Sequence, residues 1–342
     1  MAEHDADDDT ESSSDAIDEA EEGLTYAAAG VDIAESEAAT ESLLDAAGDF
    51  AGDFAGLVDI GDRYLALATD GVGTKLLVAE ALGDYSTVGI DCIAMNVNDL
   101  IAAGIEPVAF VDYLAVEAPD SETTGQIGEG LQVGAELADI ALLGGETAVM
   151  PEVIDGLDIA GTAAGLAPKD ALFSGEAEAG DAIVGWPSSG IHSNGLTLAR
   201  EAVTFEHAYD DPFPPEPART IGEELLTPTR IYTEVLDPLR EHGAHAAAHV
   251  TGGGWRNLTR MGPSRYEIEE PFDVQPVFEF VQSEGAIDDE EMYRTFNMGT
   301  GFVATLDPAD AMNVVEATDD GRIIGRVVDA EEGVSVRGLE LA

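Results

Sequence analysis

Asp62-Arg63-Tyr64-Leu65-Ala66-Leu67-Ala68-Thr69 runs without a break into Asp70-Gly71-Val72-Gly73-Thr74-Lys75. The first eight residues read as a β-strand and the next six as a glycine-rich turn at its carboxyl end. Glycines let backbone N–H groups approach an anion, and a lysine balances phosphate charge. Asp70, at a strand end, is placed to hold Mg²⁺ through oxygen. The spacing G-x-x-x-x-G-K-[ST] is absent, so this is not a Walker A loop. Taken alone, such a turn is as readily structural. The lysine sharpens the case, because the chain has only two, Lys75 and Lys169.

Outward from this turn the pattern is mixed α/β. Residues 91–103 have helical apolar spacing at Ile93, Val97, Leu100 and Ile101, and stop at Gly104 with Pro107 beyond. Residues 107–115 read as a strand, 123–138 as a helix and 157–166 as a strand of small residues. Ala167-Pro168-Lys169-Asp170 breaks the pattern and predicts a domain boundary. The expected division is an acidic tail over 1–23, one domain over 24–168 and a second over 169–342. In the second half, 181–186 and 298–306 read as strands and 195–203 as a helix. The proline-rich segment 211–217 reads as a surface loop.

The 342 residues carry 70 acidic and 14 basic side chains, a formal net charge of −56. A surface this negative repels phosphate backbones and anionic lipid, which excludes nucleic acid and membrane as partners. The acidity predicts life in a salt-saturated cytoplasm, where screening removes the self-repulsion. Cys92 is the one cysteine, inside an apolar run, and reads as a buried, inert thiol in a reducing compartment. Residues 1–22 hold eleven acidic residues and no Lys or Arg, the reverse of a signal peptide's start, and predict a solvated tail.

Four further constellations carry chemistry. Asn96 and Asp99, three residues apart on the predicted helix, share a face and offer amide and carboxylate oxygens to a hard cation. Glu146, in Gly144-Gly145-Glu146-Thr147, follows the apolar run 140–143 in an expected loop and is a candidate third oxygen ligand, with an ordinary loop carboxylate as the alternative. Ser188-Ser189-Gly190-Ile191-His192-Ser193-Asn194-Gly195 links a strand to a helix, and its hydroxyls, amide and N–H groups suit a phosphate or an amide substrate. His249-Val250-Thr251-Gly252-Gly253-Gly254 is a second anion cradle with its own histidine. The lone cysteine and scattered histidines exclude a structural zinc site, and no G-x-S-x-G elbow is present.

Seven segments, in order, resemble the aminoimidazole ribonucleotide (AIR) synthetase family of cyclo-ligases: TDGVGTKL at 69–76, GIDCIAMNVNDL at 89–100, LLGGETA at 142–148, SSGIHSNG at 188–195, PTRIY at 228–232, HVTGGGW at 249–255 and FNMGTG at 296–301. The resemblance implies a two-domain α/β fold whose N-terminal sheet pairs with that of a second subunit in a homodimer. It implies ATP and Mg²⁺, with Asp70, Asp99 and Glu146 as metal ligands, and Asn96, Gly71, Gly73, Thr74 and Lys75 around the nucleotide. Ser189, His192, Ser193, Asn194, Thr251, Gly252 and Gly253 then face the substrate. Lys75, His192 and His249 take the catalytic roles, with the acid–base assignment open between the two histidines. The family's usual Tyr-Lys-Asp-Ala-Gly-Val-Asp opening is here Tyr26-Ala27-Ala28-Ala29-Gly30-Val31-Asp32, without the lysine and the first aspartate.

The implied activity is cytoplasmic closure of the imidazole ring of AIR from formylglycinamidine ribonucleotide, with ATP, in purine biosynthesis. The rival readings are a sibling enzyme, either the preceding amide-to-amidine synthetase or a small-molecule kinase, and a non-catalytic nucleotide-binding protein.

Overall fold

The computed structural model describes residues 23–31, 55–173 and 175–341. The expected acidic tail lies outside them, as does residue 32 of the opening motif. Two mixed sheets organise the chain. The first holds β1 (Gly56–Asp59), β2 (Arg63–Gly71), β3 (Glu106–Val116), β4 (Ala141–Val149) and β5 (Leu157–Pro168), in the order β1-β2-β5-β3-β4. All its pairs are antiparallel except β3 with β4. Helices α1 (Lys75–Leu82), α2 (Val88–Ala102) and α3 (Ser121–Ala138) belong to this half.

The sheet is covered on one face only. In β5, Ile159, Gly161, Ala163, Gly165 and Ala167 point into the core while their neighbours are half-exposed, the alternation of a one-sided strand. Packed against that face, α2 buries thirteen of its fifteen residues. Its apolar positions run nearly all round the helix, because sheet, α3 and the second half of the chain all contact it. Cys92 is fully buried there, and burial pushes its thiol pKa up, so it is inert as the sequence predicts.

The second sheet has seven strands: β6 (Ala182–Pro187), β7 (Ala246–His249), β8 (Arg265–Ile268), β9 (Thr300–Leu306), β10 (Arg322–Val328), β11 (Gly333–Val336) and β12 (Leu339–Leu341). Their order is β12-β11-β8-β10-β6-β9-β7. Every residue of β7 and β9 is buried, so these strands are covered on both faces. This half also carries α4 (Leu196–Thr204), α5 (Ile221–Leu225), α6 (Thr233–Glu241), a 3₁₀ helix (Gly254–Met261), α7 (Pro276–Gly285), α8 (Asp289–Thr295) and α9 (Pro308–Ala317). One hydrophobic core runs continuously from Val72 and Ile93 in the first half to Tyr232 and Phe302 in the second. The two halves are therefore joined through packed side chains, and the glycine-rich turns singled out in the sequence lie along that seam.

Candidate active site

The turn after β2 brings the first lobe to the seam. Gly73 has φ 71°, a left-handed conformation that glycine adopts without strain. Thr74 sits at the N-cap of α1 but caps nothing with its side chain. Its hydroxyl instead meets the Thr197 hydroxyl at 2.8 Å, in the first turn of α4 from the other lobe. Helix α4 likewise starts after a left-handed glycine, Gly195, without a side-chain cap, and neither helix has an acidic residue in its first turn. Two helix N-termini without side-chain caps thus converge on one cleft. The cleft has a volume of about 380 Å³ and is lined by Tyr26, residues 70–74, Asp158, Ser193, Asn194, Leu196 and Thr197.

Behind the turn, α2 supplies amide and carboxylate groups. Asn96 is fully buried and donates from Nδ2 to the Asp70 carbonyl at 3.1 Å and the Cys92 carbonyl at 2.8 Å. Those bonds fix the amide, and its buried Oδ1 is left without a hydrogen-bond partner. Asp70 is raised to about 6, first by burial and then by repulsion from Asp99. Two repelling carboxylates beside an orphaned carboxamide oxygen make a donor set that fits a hard cation. Glu146 does not join it. The expected loop is the middle of β4, where Glu146 pairs in register with Tyr113, then Ala160, then Gly71. Three strand spacings separate it from Gly71, about 14 Å. It also occupies the rung next to that of Asp70, and so projects from the opposite face of the sheet. Among the described residues no three His, Cys, Asp or Glu side chains stand close enough to hold a metal ion by themselves.

Lys75 is turned inward. Its Nζ is fully buried, 2.8 Å from Asp91 Oδ2, and donates to the Thr227 carbonyl at 2.7 Å. It stands a layer behind the cleft wall.

The second lobe contributes two buried histidines whose rings are 6.4 Å apart. His192 has φ 68°, uncommon for a residue with a side chain, and the turn that holds it is clamped. Asn297 Nδ2 donates to the Gly190 and Ile191 carbonyls at 2.8 and 3.1 Å, and Ser189 Oγ donates to the Pro228 carbonyl at 2.6 Å. His192 Nε2 accepts the Ser189 N–H at 3.1 Å, so the proton of the neutral ring sits on Nδ1. Burial, with the nearby His249 and Lys75 charges, lowers its pKa well below the usual imidazole value.

His249 ends β7. Asn98 accepts from the Tyr232 N–H at 3.0 Å and donates to the Arg230 carbonyl at 2.8 Å, which fixes its amide. Its Nδ2 then faces His249 Nε2 at 3.3 Å, leaving His249 Nδ1 to donate to Asp99 Oδ1 at 3.3 Å. His249 is thereby tied to a carboxylate of the first lobe. Asn194 and Gly252 are in close approach, since a Cβ at Gly252 would lie 2.9 Å from Asn194 Oδ1. Thr251 Oγ1 accepts from Asn257 at 3.3 Å, and Gly253, φ 90°, leads into the 3₁₀ helix.

Sequence profiles of two domains cover most of this architecture. The AIR synthase related protein N-terminal domain matches residues 52–167, and its C-terminal domain matches residues 178–337. The chain belongs to the AIR synthase related family. A relative from Methanosarcina acetivorans, named phosphoribosylformylglycinamidine cyclo-ligase, is 47% identical over 331 residues, 93% of this chain and 98% of the relative. Among solved structures, thiamine monophosphate kinase from Aquifex aeolicus superposes with a TM-score of 0.62 at 18% identity, covering 90% of this chain and 98% of the kinase. Hydrogenase maturation protein HypE in complex with ATP gives 0.59 at 19% identity, covering 82% of this chain and 83% of HypE. At such identities the two structures speak for the fold alone.

Several members of the site escape a reading by motif. Asp91 lies in the GIDCIAMNVNDL segment without an assigned role, yet it is fully buried, paired with Lys75 and hydrogen-bonded to Ser193 and Thr229. Its signal was the cost of burying a carboxylate, which demands a cation, in a chain with two lysines. Thr229, Arg230 and Tyr232 lie in the PTRIY segment, which had no assigned role. They turn out to hold Asp91, Asn98 and the Pro187 carbonyl. Tyr26 reaches the cleft from the N-terminal segment. Its N–H donates to Glu291 at 2.7 Å, and its phenol shares the cleft wall with Thr197, where burial raises its pKa.

Proposed function

We propose that the chain converts formylglycinamidine ribonucleotide and ATP to AIR, ADP and phosphate, as a cyclo-ligase of purine biosynthesis. The observation that carries this is the meeting of the two glycine turns at Thr74 and Thr197, 2.8 Å apart, over one cleft. The family membership and the 47% identical relative named for this activity support the same reading.

The chemistry needs a leaving group. Attack by an amidine nitrogen on a formamide carbon stalls because an amide oxygen departs poorly. Transfer of the ATP γ-phosphoryl group to that oxygen releases ADP and makes the oxygen part of a phosphate, which leaves when the nitrogen closes the ring. What remains for the protein is positioning and charge balance. Gly73 and Thr74 offer backbone N–H groups and a hydroxyl to the nucleotide phosphates, while the Gly71 N–H donates to Asp70 Oδ1 at 2.7 Å and orients that carboxylate; Ser189, Ser193, Asn194, Thr251, Gly252 and Gly253 line the substrate side. Asp70, Asp99 and the Asn96 carboxamide would hold Mg²⁺, which supplies charge neutralisation on the transferred group. His249, tied to Asp99, and His192, a buried neutral donor, are the groups at hand for holding or moving a proton.

The open face of the first sheet supports pairing with a second copy of the chain. It carries exposed Leu67, Val111 and Tyr113, and the edge strand β4 exposes Leu143. A monomer rarely leaves such a face uncovered. Glu146 projects from the same face and would join the site across that interface. No described helix is long and apolar enough to cross a membrane, and the single buried cysteine suits the reducing cytoplasm.

The test is product analysis in concentrated KCl with formylglycinamidine ribonucleotide and Mg²⁺–ATP. The imidazole, ADP and phosphate should appear in equal amounts with no ammonia consumed. Phosphoryl transfer to another acceptor would replace this reading with a kinase.

A further inference from the structure

The lysine of the first glycine turn does not reach the cleft, and its surroundings say what it does instead. Nζ of Lys75 is closed in by Asp91 Oδ2 at 2.8 Å and the Thr227 carbonyl at 2.7 Å, with both side chains fully buried. The other carboxylate oxygen, Asp91 Oδ1, accepts from the Thr229 N–H at 2.8 Å, the Thr229 hydroxyl at 2.6 Å and Ser193 Oγ at 3.3 Å. Lys75 and Asp91 come from the first lobe, and Ser193, Thr227 and Thr229 from the second. Each end of this network is one residue from a cleft group. Lys75 follows Thr74, whose hydroxyl meets Thr197, and Ser193 lies between His192 and Asn194.

We propose that Lys75 and Asp91 form a charged latch that sets the spacing of the two glycine turns. Lys75 then serves the nucleotide as a positioning residue acting through Asp91, not as a phosphate ligand. A buried ion pair is a poor source of net stability but a directional one, since removing either partner strands a charge in a dry interior. The chain's other lysine forms an exposed pair with Asp59, of the kind that contributes little. Keeping one of two lysines inside the seam, where the pair bonds across both lobes, is what a spacing device requires.

The latch rests on the cyclo-ligase reading only for the identity of the nucleotide, and its test needs no turnover. Lys75→Met, Asp91→Asn and the double variant are titrated with Mg²⁺–ATP by calorimetry in concentrated KCl, on folded protein. A latch predicts that each single variant weakens binding by about tenfold or more. The double variant, with no stranded charge, should bind no more weakly than the weaker single. Equal losses in Lys75→Met and the double variant, with Asp91→Asn unchanged, would show a direct phosphate contact and overturn the latch. Unchanged affinity in all three would reduce the pair to scaffolding and overturn it too. Where the charged variants do not fold, Thr229→Val takes their place. It keeps the pair and removes one bond across the seam, and about threefold or more weaker binding is expected; unchanged binding refutes the latch. Intact coupling without imidazole product would leave the latch standing and remove the cyclo-ligase reading.

Discussion

Asp70 holds the least favourable charge in the cleft. Its carboxyl is raised to about 6 by burial and by Asp99, from an ordinary value of 3.8. An acid raised on folding contributes stability that is complete below the unfolded value, near pH 4, and lost as pH climbs through 6. At about 1.4 kcal/mol for each pH unit, the loss reaches about 3 kcal/mol, and partial exposure cuts it to roughly 1–2 kcal/mol. Asp70→Asn should therefore melt a few degrees above the parent at pH 8, match it at pH 4, and make no imidazole. A melting curve for Asp70→Asn lower at both pH values would contradict this strain. The place of Asp70 in the cleft wall was legible, since the strand running into a glycine-rich turn could be read from the local sequence alone. Asp91 and Asn98 were not, because their roles depend on partners 138 and 134 residues away. No local pattern encodes a bond of that reach.

Among the elements, helix and strand periods placed α2, α3, β3 and β5 to within a few residues. The failure at β4 has a specific cause. Gly144-Gly145 reads as a break, and Gly144 does bulge the strand, with φ 112° where the β3–β4 register shifts, but the pairing continues beyond it. A Cβ at Gly145 would lie 2.4 Å from the Asp112 carboxylate and carbonyl, so crowding against β3 demands the second glycine. The same logic makes a prediction in β9. Gly301 has no left-handed φ, but a Cβ there would come within 2.0 Å of Tyr232 Oη and 2.8 Å of His192 Cε1. Gly301→Ala should cost about 1–3 kcal/mol by overpacking and displace both rings. Turnover should fall at least about tenfold even in the folded fraction, as sub-ångström misplacement does at active sites. A variant with the parent's kcat and melting temperature would mean that the His192 ring needs no fixed seat.

At the scale of the whole molecule, charge and fold oppose each other. With 70 acidic side chains against 14 basic ones, most carboxylates have no cation to meet. Compaction therefore raises their mutual repulsion. Dissolved salt weakens that repulsion over a screening length of about 30 Å at 0.01 M and about 3 Å at 1 M. The attractive pairs respond differently. Arg265–Glu340 and Arg326–Glu267 are solvent-facing, individually small terms. The Lys75–Asp91 pair has no exposed surface, so mobile ions cannot reach it. Salt thus removes far more repulsion than attraction, and the melting temperature should rise steeply between 0.1 and 2 M KCl. The seam ought to respond too, since both lobes are acidic while the bonds joining them are buried. Calorimetry over that range checks the balance, and an equal osmolality of sucrose separates screening from excluded-solute effects. A melting temperature that is flat or falls with KCl would mean that the carboxylates are not repelling one another in the folded state. The acidity would then need a cause other than salt.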